Sequence, residues 1–451
     1  MPNINSSATR SPPALAIPTP AQYQWHEQER IMFIHYGPAT WQGLEYDDHS
    51  TPLTAINPTA LDTHQWCRAA LAWGAKQIIF VAKHTGRFCW WQTDTSPYGI
   101  KETPWKNGKG DVLAEIAEAC RLHGLNLGVY LSPADKLWDA GVGSPGRTKD
   151  PAKQEAYAHV YRQQLTEVLS RYGKMHEVWF DGSCLMDVGD ILTRYAPDAA
   201  IFQGPMASIR WCGTESGRVS YPAWNSLKRK DLASGVATVA HSDPDGDAWA
   251  PLEVDTTLYS HWWFWSKANE AKRKSLAELM DCYYKSVGRG GVLLINATPN
   301  TDGLIPALDM ALYQALGQEI QRRFSRPRAE ISDGCGNITE LLLPPNDTVN
   351  HTVIMEDYRQ GERIRAYKVE GLMGGEWREL CRGTAVGRMK IDVFPPAIAD
   401  KLRLRVTRSV GEPIIRRFAA FHVEQFTHDP YTQVAPAVDE WHSSGQWSAQ
   451  N

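Results

Sequence analysis

The chain has 451 residues, an apolar content of 43% and a formal net charge of −4. A chain of this length and composition can bury one large core together with a smaller second domain. The small negative charge and the lack of a long basic run argue against nucleic acid and anionic membranes as partners. No apolar stretch is long enough to form a membrane-spanning helix, so we expect no membrane partner.

The N-terminal residues and the cysteines bear on the cellular compartment. Residues 1–22 are rich in proline and serine and lack a charged segment followed by an apolar one, which predicts a flexible lead-in rather than a signal peptide. The eight cysteines are scattered without paired spacing, as is typical of reduced core residues. We therefore expect a cytoplasmic protein with no metal and no cofactor. Secretion after removal of a signal peptide is the alternative, and the oligomeric state is left open.

Between residues 23 and 326, short apolar runs alternate with helical patterns. The apolar runs lie at 31–35, 77–83, 125–130, 176–181, 200–203 and 291–296, and the helical patterns at 60–74, 111–124, 150–172, 187–195 and 271–286. Repeated strand–helix units predict a (β/α)8-like barrel of the α/β class, although the units between 215 and 270 are not visible. A doubly wound sheet is the alternative, but no glycine-rich nucleotide-binding turn follows the first strand.

After residue 326 the pattern changes to short segments in which apolar and polar residues alternate. Segments 338–343, 364–369 and 402–406 are of this kind, and proline, glycine and asparagine turns separate them. This pattern predicts a C-terminal β-sandwich over residues 327–426, followed by a polar tail over 427–451.

The segment 176–182 (HEVWFDG) combines a short apolar strand with a carboxylate at its end. Side chains alternate along a strand, so Trp179 and Asp181 share one face and Val178 and Phe180 the other. An acid beside a large aromatic residue is how a barrel enzyme presents a nucleophile next to a surface on which a sugar ring stacks. Alternatively, Asp181 caps the following turn.

Further polar residues follow the other predicted strands, which favours the catalytic interpretation. They are His35, Glu45, His84, Tyr130, Arg210 and Glu215. A single histidine at such a place is usually structural, but polar groups at the ends of five consecutive strands are difficult to explain by packing. The 18 tryptophans, many of them near these positions, are either core residues or sugar-stacking surfaces.

Over about residues 24–425 the chain resembles glycoside hydrolase family 29, the retaining α-L-fucosidases. The motifs that carry the resemblance are MFIHYGPATWQGLEYDD (32–48), NPTALDTHQW (57–66), VAKHTGRFCWW (81–91), TPWKNGKGDVLAE (103–115), GVYLSPAD (128–135), EVWFDG (177–182), IRWCGTESG (209–217), APLEVD (250–255) and SVGRGGVLLINATPNTDGLIP (286–306). The resemblance implies a catalytic barrel followed by a β-sandwich, and a fucosylated oligosaccharide as substrate.

The resemblance also implies the catalytic roles. A retaining glycosidase needs two carboxyl groups about 5–5.5 Å apart, one as nucleophile and the other as acid and base. Asp181 matches the nucleophile and should stay ionised through a cationic neighbour such as Arg210 or a histidine. Glu215 matches the acid/base position and should have a pKa raised by burial and by the charge of Asp181. Glu253 is the alternative acid/base residue.

Matching positions further imply how the sugar is held. The residues that match contacts to the fucose hydroxyls and ring are His35, Glu45, His84, Trp179 and Arg210, with Tyr130 as a further candidate. The C5 methyl group of fucose needs an aromatic wall, for which Trp263 and Phe264 are candidates.

The motifs K-H-T-G and P-W-K-N-G-K-G-D resemble most the subgroup that acts on α1,3- and α1,4-linked fucose in Lewis-type glycans. Arg87, Ala134 and the short segment between Asp181 and Glu215 depart from that pattern and bear on leaving-group specificity. Broader aryl or α1,2 activity is the nearest alternative. A lectin-like protein that binds fucose without cleaving it would lack one carboxylate, and a metal-dependent hydrolase would need more clustered histidines.

Overall fold

The computed structural model describes residues 15–424. Residues 1–14 of the expected lead-in and the expected tail at 427–451 therefore lie outside the described residues. The remainder of the lead-in is partly helical, because α1 begins at Pro20 and is capped by the side chain of Thr19.

Eight parallel strands form the first sheet, and each is paired with its neighbours in the order of the chain. The strands up to residue 297 are β1 (Arg30–Ile34), β2 (Gln77–Lys83), β3 (Asn126–Leu131), β4 (Glu177–Trp179), β5 (Ala200–Phe202), β6 (Arg210–Trp211), β7 (Ser226–Leu227), β8 (Ala248–Trp249), β9 (Leu252–Thr256) and β10 (Val292–Ala297). All of these except β7 and β8 belong to the first sheet. A parallel bridge between Phe202 and Ile209 links β5 to the start of β6. The sheet is therefore a nearly closed barrel, which confirms the predicted fold class.

The helices accompany these strands. They are α1 (Pro20–His26), α2 (Ala39–Gln42), α3 (Thr63–Ala72), α4 (Val112–His123), α5 (Gln154–Arg171), α6 (Gly189–Tyr195), α7 (Arg229–Leu232), α8 (Leu276–Lys285) and α9 (Ala307–Phe324). Asp111 caps α4 by accepting a hydrogen bond from Ala114 N, and Gly124 ends it in the left-handed conformation. None of the helices within residues 15–424 has the length and apolar content that a membrane span requires.

Side-chain alternation divides the barrel core into two layers. Ile31 and Phe33 of β1 belong to the cluster inside the barrel, and Met32 and Ile34 to the cluster between the strands and the helices. On β4, Trp179 points inward while Val178 points outward. The alternation that the sequence predicts for the HEVWFDG segment is therefore confirmed.

The units that the sequence does not reveal lie between β5 and β9. Strand β6 has only two residues, and the chain between β6 and β9 forms an insertion in which β7 and β8 pair antiparallel. Arg210 of β6 is 1% exposed and holds this insertion. Its guanidinium donates to the carbonyl oxygens of Ala250 (3.0 Å) and Thr238 (3.0 Å) and to that of Trp224.

The C-terminal domain consists of two antiparallel four-stranded sheets, ordered β11-β18-β13-β16 and β12-β17-β14-β15. Its strands are β11 (Ala329–Cys335), β12 (Ile338–Leu342), β13 (Thr348–Glu356), β14 (Ile364–Met373), β15 (Glu376–Gly383), β16 (Lys390–Ile398), β17 (Lys401–Ser409) and β18 (Ile414–Phe421). A separate apolar cluster fills the space between the sheets. The sandwich contacts the insertion through Glu362, which accepts a hydrogen bond from the side chain of Asn225 at 2.8 Å.

We expect Arg210→Met to lower the free energy of unfolding by at least about 3 kcal/mol, because it removes the donors of several buried carbonyl groups at once. Urea denaturation followed by tryptophan fluorescence measures the change. Arg229→Met is the matched control in the same insertion. Arg229 is exposed and donates to the carbonyl oxygen of Asp247 at 2.8 Å, so its loss should cost less than about 1 kcal/mol. Equal losses in the two variants would show that Arg210 does not anchor the insertion.

Candidate active site

A cavity of about 190 Å³ opens at the C-terminal ends of the barrel strands. Eight of the residues singled out in the sequence line it, namely His35, Glu45, His84, Tyr130, Trp179, Asp181, Glu215 and Trp263. The other lining residues are Phe33, Tyr46, Val142, Gly182, Phe202, Gln203, Trp211 and Asp255. The fold thus brings together side chains from positions 33 to 263 of the chain, and no lysine or arginine is among these lining residues.

Asp181 lies two residues beyond the end of β4 and points into the cavity. Its Oδ2 accepts a hydrogen bond from the hydroxyl of Tyr130 at 3.0 Å. Burial raises the pKa of Asp181 above its ordinary value, and the hydrogen bond from Tyr130 opposes this shift. The expectation that Arg210 or a protonated histidine keeps Asp181 ionised is wrong, and a neutral hydroxyl donor takes that place.

Glu215 lies in the loop that follows β6, between two glycines with positive φ, Gly213 and Gly217. Gly217 fits closely against α8, because a Cβ there would lie 2.7 Å from Cys282 Sγ. Burial raises the pKa of Glu215 to about 7; a hydrogen bond from the side chain of Trp263 opposes the shift and the charge of Asp181 adds to it. The pKa of Glu215 is therefore raised for the two reasons that the sequence analysis gives.

His35 and Glu45 are both fixed through the segment around Trp263. The side-chain Nδ2–H of Asn296 donates to the carbonyl oxygen of Trp263 at 2.8 Å. The side-chain Oδ1 of Asn296 therefore faces His35, and it lies 2.8 Å from Nδ1 of that ring. His35 therefore carries its proton on Nδ1 and presents Nε2 as an acceptor. Both oxygens of Glu45 accept from the backbone N–H of Trp263, and burial raises the pKa of Glu45 to about 8.

The other histidine of the cavity, His84, lies between two tyrosine rings. It stacks on Tyr130, with ring centroids 5.7 Å apart, and on Tyr46 at 6.0 Å. Burial lowers the pKa of His84 to about 3. For His35, burial and the neighbouring His84 lower the pKa well below its ordinary value. Both histidines are therefore neutral, and they act as hydrogen-bonding groups rather than as charges.

Trp179 forms the floor of the cavity. Its indole ring stacks on Phe202, with ring centroids 3.6 Å apart and an interplanar angle of 3°. The indole Nε1–H donates to Glu253 Oε1 at 2.8 Å. Glu253 itself is fully buried in the barrel interior and is not among the cavity-lining residues. The alternative assignment of Glu253 as the acid/base residue is therefore wrong, because its carboxyl group lies behind the tryptophan.

Arg210 and Phe264, which the sequence suggests as sugar-contacting residues, do not line the cavity. Arg210 donates its hydrogen bonds to backbone carbonyls of the insertion, and the next residue, Trp211, lines the cavity instead. Neighbouring residues of a strand point in opposite directions, so Arg210 and Trp211 cannot both face the barrel interior. Phe264 lies behind His35, with ring centroids 5.4 Å apart, and lines a smaller hollow beside the cavity.

Asp255 is a cavity residue that the sequence analysis does not identify. Its Oδ1 accepts a hydrogen bond from the indole Nε1–H of Trp211 at 2.7 Å. Burial, together with the charge of Glu215, raises the pKa of Asp255 well above its ordinary value. The sequence pattern that could have identified Asp255 is the L-E-V-D-T segment of β9, in which period-2 alternation puts Glu253 and Asp255 on the same face. Asp255 is the later of the two in the strand and so lies nearer the cavity.

Comparisons with known proteins identify the family of the chain. Residues 19–323 match the family model for alpha-L-fucosidase. Alpha-L-fucosidase 1 of Arabidopsis thaliana is 29% identical over 475 residues, which cover 94% of this chain and 91% of the plant protein.

Solved structures show the same likeness over both domains. A glycoside hydrolase 29 family member from an unknown rumen bacterium is 31% identical with a TM-score of 0.81, covering 92% of this chain and 79% of that chain. A Ruminococcus gnavus GH29 fucosidase in complex with fucose is 26% identical with a TM-score of 0.80, covering 92% of this chain and 96% of that chain. The protein is therefore a glycoside hydrolase and belongs to the alpha-L-fucosidase family, glycoside hydrolase family 29.

Proposed function

We propose that the protein is a retaining exo-α-L-fucosidase that releases terminal α1,3- or α1,4-linked L-fucose from Lewis-type or related branched glycans. The observation that carries the proposal is that Asp181 and Glu215 line one small cavity and differ in how readily they hold a proton. Glu215 has its pKa raised to about 7, partly by the charge of Asp181. A carboxylate and a carboxylic acid at one site are what a retaining glycosidase requires.

The reaction proceeds in two displacements. In the first, an oxygen of Asp181 bonds to the anomeric carbon of fucose while the glycosidic C–O bond breaks and Glu215 transfers its proton to the leaving oxygen. In the second, ionised Glu215 removes a proton from water, whose oxygen replaces Asp181 at the anomeric carbon. The hydroxyl of Tyr130, bonded to Asp181 Oδ2, holds the nucleophile in position.

The neutral histidines and Glu45 supply the polar contacts for the sugar hydroxyls. His35 Nε2 accepts a hydrogen bond from a sugar hydroxyl, because its Nδ1–H is already donated to the side-chain oxygen of Asn296. The indole of Trp179 provides a flat floor for the ring, and Trp263 provides the aromatic wall for the C5 methyl group. The R. gnavus structure contains fucose, which supports the same sugar in this cavity.

The leaving group of the substrate faces the outer part of the cavity. Val142, which is 39% exposed, and Gln203 line the cavity from the loops that follow β3 and β5, and they are the residues we expect the leaving group to contact. The K-H-T-G and P-W-K-N-G-K-G-D motifs support α1,3- and α1,4-linkages. Broader aryl or α1,2 activity is the second candidate, and fucose binding without cleavage is disfavoured because both carboxyl groups line the cavity.

We expect Asp181→Ala to lower turnover of an aryl α-L-fucoside by at least about 10³-fold, because the variant has no nucleophile. Sodium azide should restore turnover by entering the space left by the carboxylate, and the product should be the inverted β-fucosyl azide, identified by NMR. Near-normal activity of Asp181→Ala without azide would contradict the assigned mechanism. Asp187→Ala, at an exposed carboxylate of the same loop, is the control and should retain activity.

We expect Glu215→Ala to reduce turnover of a fucosylated oligosaccharide far more than turnover of an aryl fucoside with an acidic leaving group, because only the former needs protonation. The acid acts in its protonated form, so kcat/KM of the native enzyme for the oligosaccharide should fall above about pH 7, where Glu215 ionises. Pre-steady-state and steady-state assays of both substrates over pH 5–9 measure this. Equal losses on both substrates would move the acid/base role to Asp255.

Time-resolved NMR of the protein with a Lewis-type trisaccharide should show the anomeric proton of α-fucose first, with β-fucose appearing later by mutarotation. Early β-fucose would contradict retention. If the protein hydrolyses an aryl fucoside or an α1,2-linked disaccharide but not the trisaccharide, the broader specificity is the correct one. An inert result with every substrate, together with fucose binding by calorimetry, would select the lectin-like alternative.

A further inference from the structure

Two carboxyl groups lie beneath the cavity floor, in the closed interior of the barrel. Glu177 of β4 and Glu253 of β9 are both 0% exposed. Glu177 Oε2 accepts from Trp25 Nε1 of α1 and from Gln77 Nε2 of β2, each at 2.7 Å. Glu253 Oε1 accepts from Trp179 Nε1 at 2.8 Å. The two acids therefore form part of a column of polar contacts that runs from α1, at one end of the barrel, to the cavity.

The two acids also lie within hydrogen-bonding reach of each other. Their remaining oxygens, Glu177 Oε1 and Glu253 Oε2, have no N–H donor among the described residues, and a hydrogen bond between the two carboxyl groups affects the pKa of both. Two ionised carboxylates cannot be held together inside a barrel without a cation, so this contact requires a proton between them.

The surroundings decide which acid holds that proton. Burial raises the pKa of Glu177 to about 7, but the two N–H donors on one of its oxygens favour its ionised form. Among the described residues, Glu253 receives only the indole N–H of Trp179. Burial and the charge of Glu177 raise the pKa of Glu253 well above its ordinary value. Glu253 is therefore a neutral acid whose O–H donates to Glu177 and whose other oxygen accepts from the indole.

We propose that Glu253 is a positioning residue which, as a neutral hydrogen-bonded acid, fixes the indole of Trp179 and thereby the floor of the cavity beside Asp181. Trp179 is the point through which it acts, since the indole stacks on Phe202 and lines the cavity while Glu253 does not. The kinetic consequence rests on the proposed function; the effect on the indole does not.

The first test compares Glu253→Gln with Glu253→Leu. Glutamine offers an oxygen to the indole N–H and an N–H to Glu177, so KM for an aryl α-L-fucoside should stay within about twofold of the native value. Leucine offers neither group, and the loosened floor should raise KM by roughly 5- to 10-fold, the equivalent of one net hydrogen bond, with a smaller change in kcat. A large loss of activity in Glu253→Gln, equal to that in Glu253→Leu, would overturn the proposal, because it would require an ionised or proton-transferring Glu253.

The second test is a double-mutant cycle with Trp179→Phe, which has no indole N–H. In this background Glu253→Leu should leave KM within about twofold, since the group that Glu253 holds is absent. A rise in KM of roughly 5- to 10-fold that persists in the Trp179→Phe background would overturn the proposal, because it would show that Glu253 acts through another route.

A spectroscopic readout separates this proposal from the proposed function. The indole N–H resonance of Trp179, assigned by its loss in Trp179→Phe, should be protected from hydrogen exchange in the native protein and in Glu253→Gln. It should shift and lose protection in Glu253→Leu. Full protection in Glu253→Leu, or loss of protection in a folded Glu253→Gln, would overturn the proposal. If Glu253→Leu does not fold, the comparison of the native protein with Glu253→Gln still decides. If the protein cleaves no fucoside but the Trp179 indole N–H shows the expected protection in each variant, the proposed function is refuted and the positioning role of Glu253 is not.

Discussion

A carboxyl group buried away from cations must be stabilised by hydrogen-bond donors or remain protonated, and the barrel of this protein depends on that constraint. Asp181, Glu215, Glu45 and Asp255 line one cavity, and no lysine or arginine is among the residues of the described chain that line it. Neutral groups, not cations, donate hydrogen bonds to these acids. Tyr130 donates to Asp181, the backbone of Trp263 donates to Glu45, and Trp211 donates to Asp255. Below them, Glu253 and Glu177 are buried near each other, and burial raises the pKa of both.

The constraint separates the acids by function. In a cavity without cations, the charge of one carboxylate opposes ionisation of the next, so the acids that share it hold their protons unequally. Asp181 has a hydroxyl donor and is the group best placed to be ionised, while Glu215 retains a proton up to about pH 7. The histidines stay neutral because burial opposes their protonation. The site can therefore hold a neutral sugar through hydrogen bonds, and the proposed function assigns Asp181 as the nucleophile and Glu215 as the acid.

The rest of the fold holds the loops that carry these groups. Arg210 ties the insertion after β6 to the barrel, and Glu362 of the sandwich accepts hydrogen bonds from the backbone and the side chain of Asn225 in that insertion. Within residues 327–424, no residue of the sandwich lines the cavity. Its contacts with the insertion, which begins in the loop that carries Glu215, give it a supporting role in the arrangement of the site.

The local pattern of the sequence was sufficient for the alternation on β4, because period-2 spacing alone puts Trp179 and Asp181 on one face. It was also sufficient for the sandwich, whose segments alternate with period 2, and for the barrel, whose strand–helix units repeat. It failed for β6, which has two residues, and for β9, which was not predicted. Arg210, which the family resemblance implied, therefore does not line the cavity whereas Trp211 does, and Asp255 was not identified.

Local periodicity and motifs in the chain therefore predicted the domain types, the family resemblance and half of the residues that line the cavity. Three properties follow from the folded barrel alone: Trp211 and not Arg210 faces the cavity, Glu253 lies beneath Trp179, and Asp181 accepts its hydrogen bond from a tyrosine hydroxyl and not from a cation. These properties depend on contacts between residues that are distant in the chain, such as Trp179 and Glu253, which are 74 positions apart. Such contacts, and the desolvation that sets each pKa, exist only once the barrel has closed.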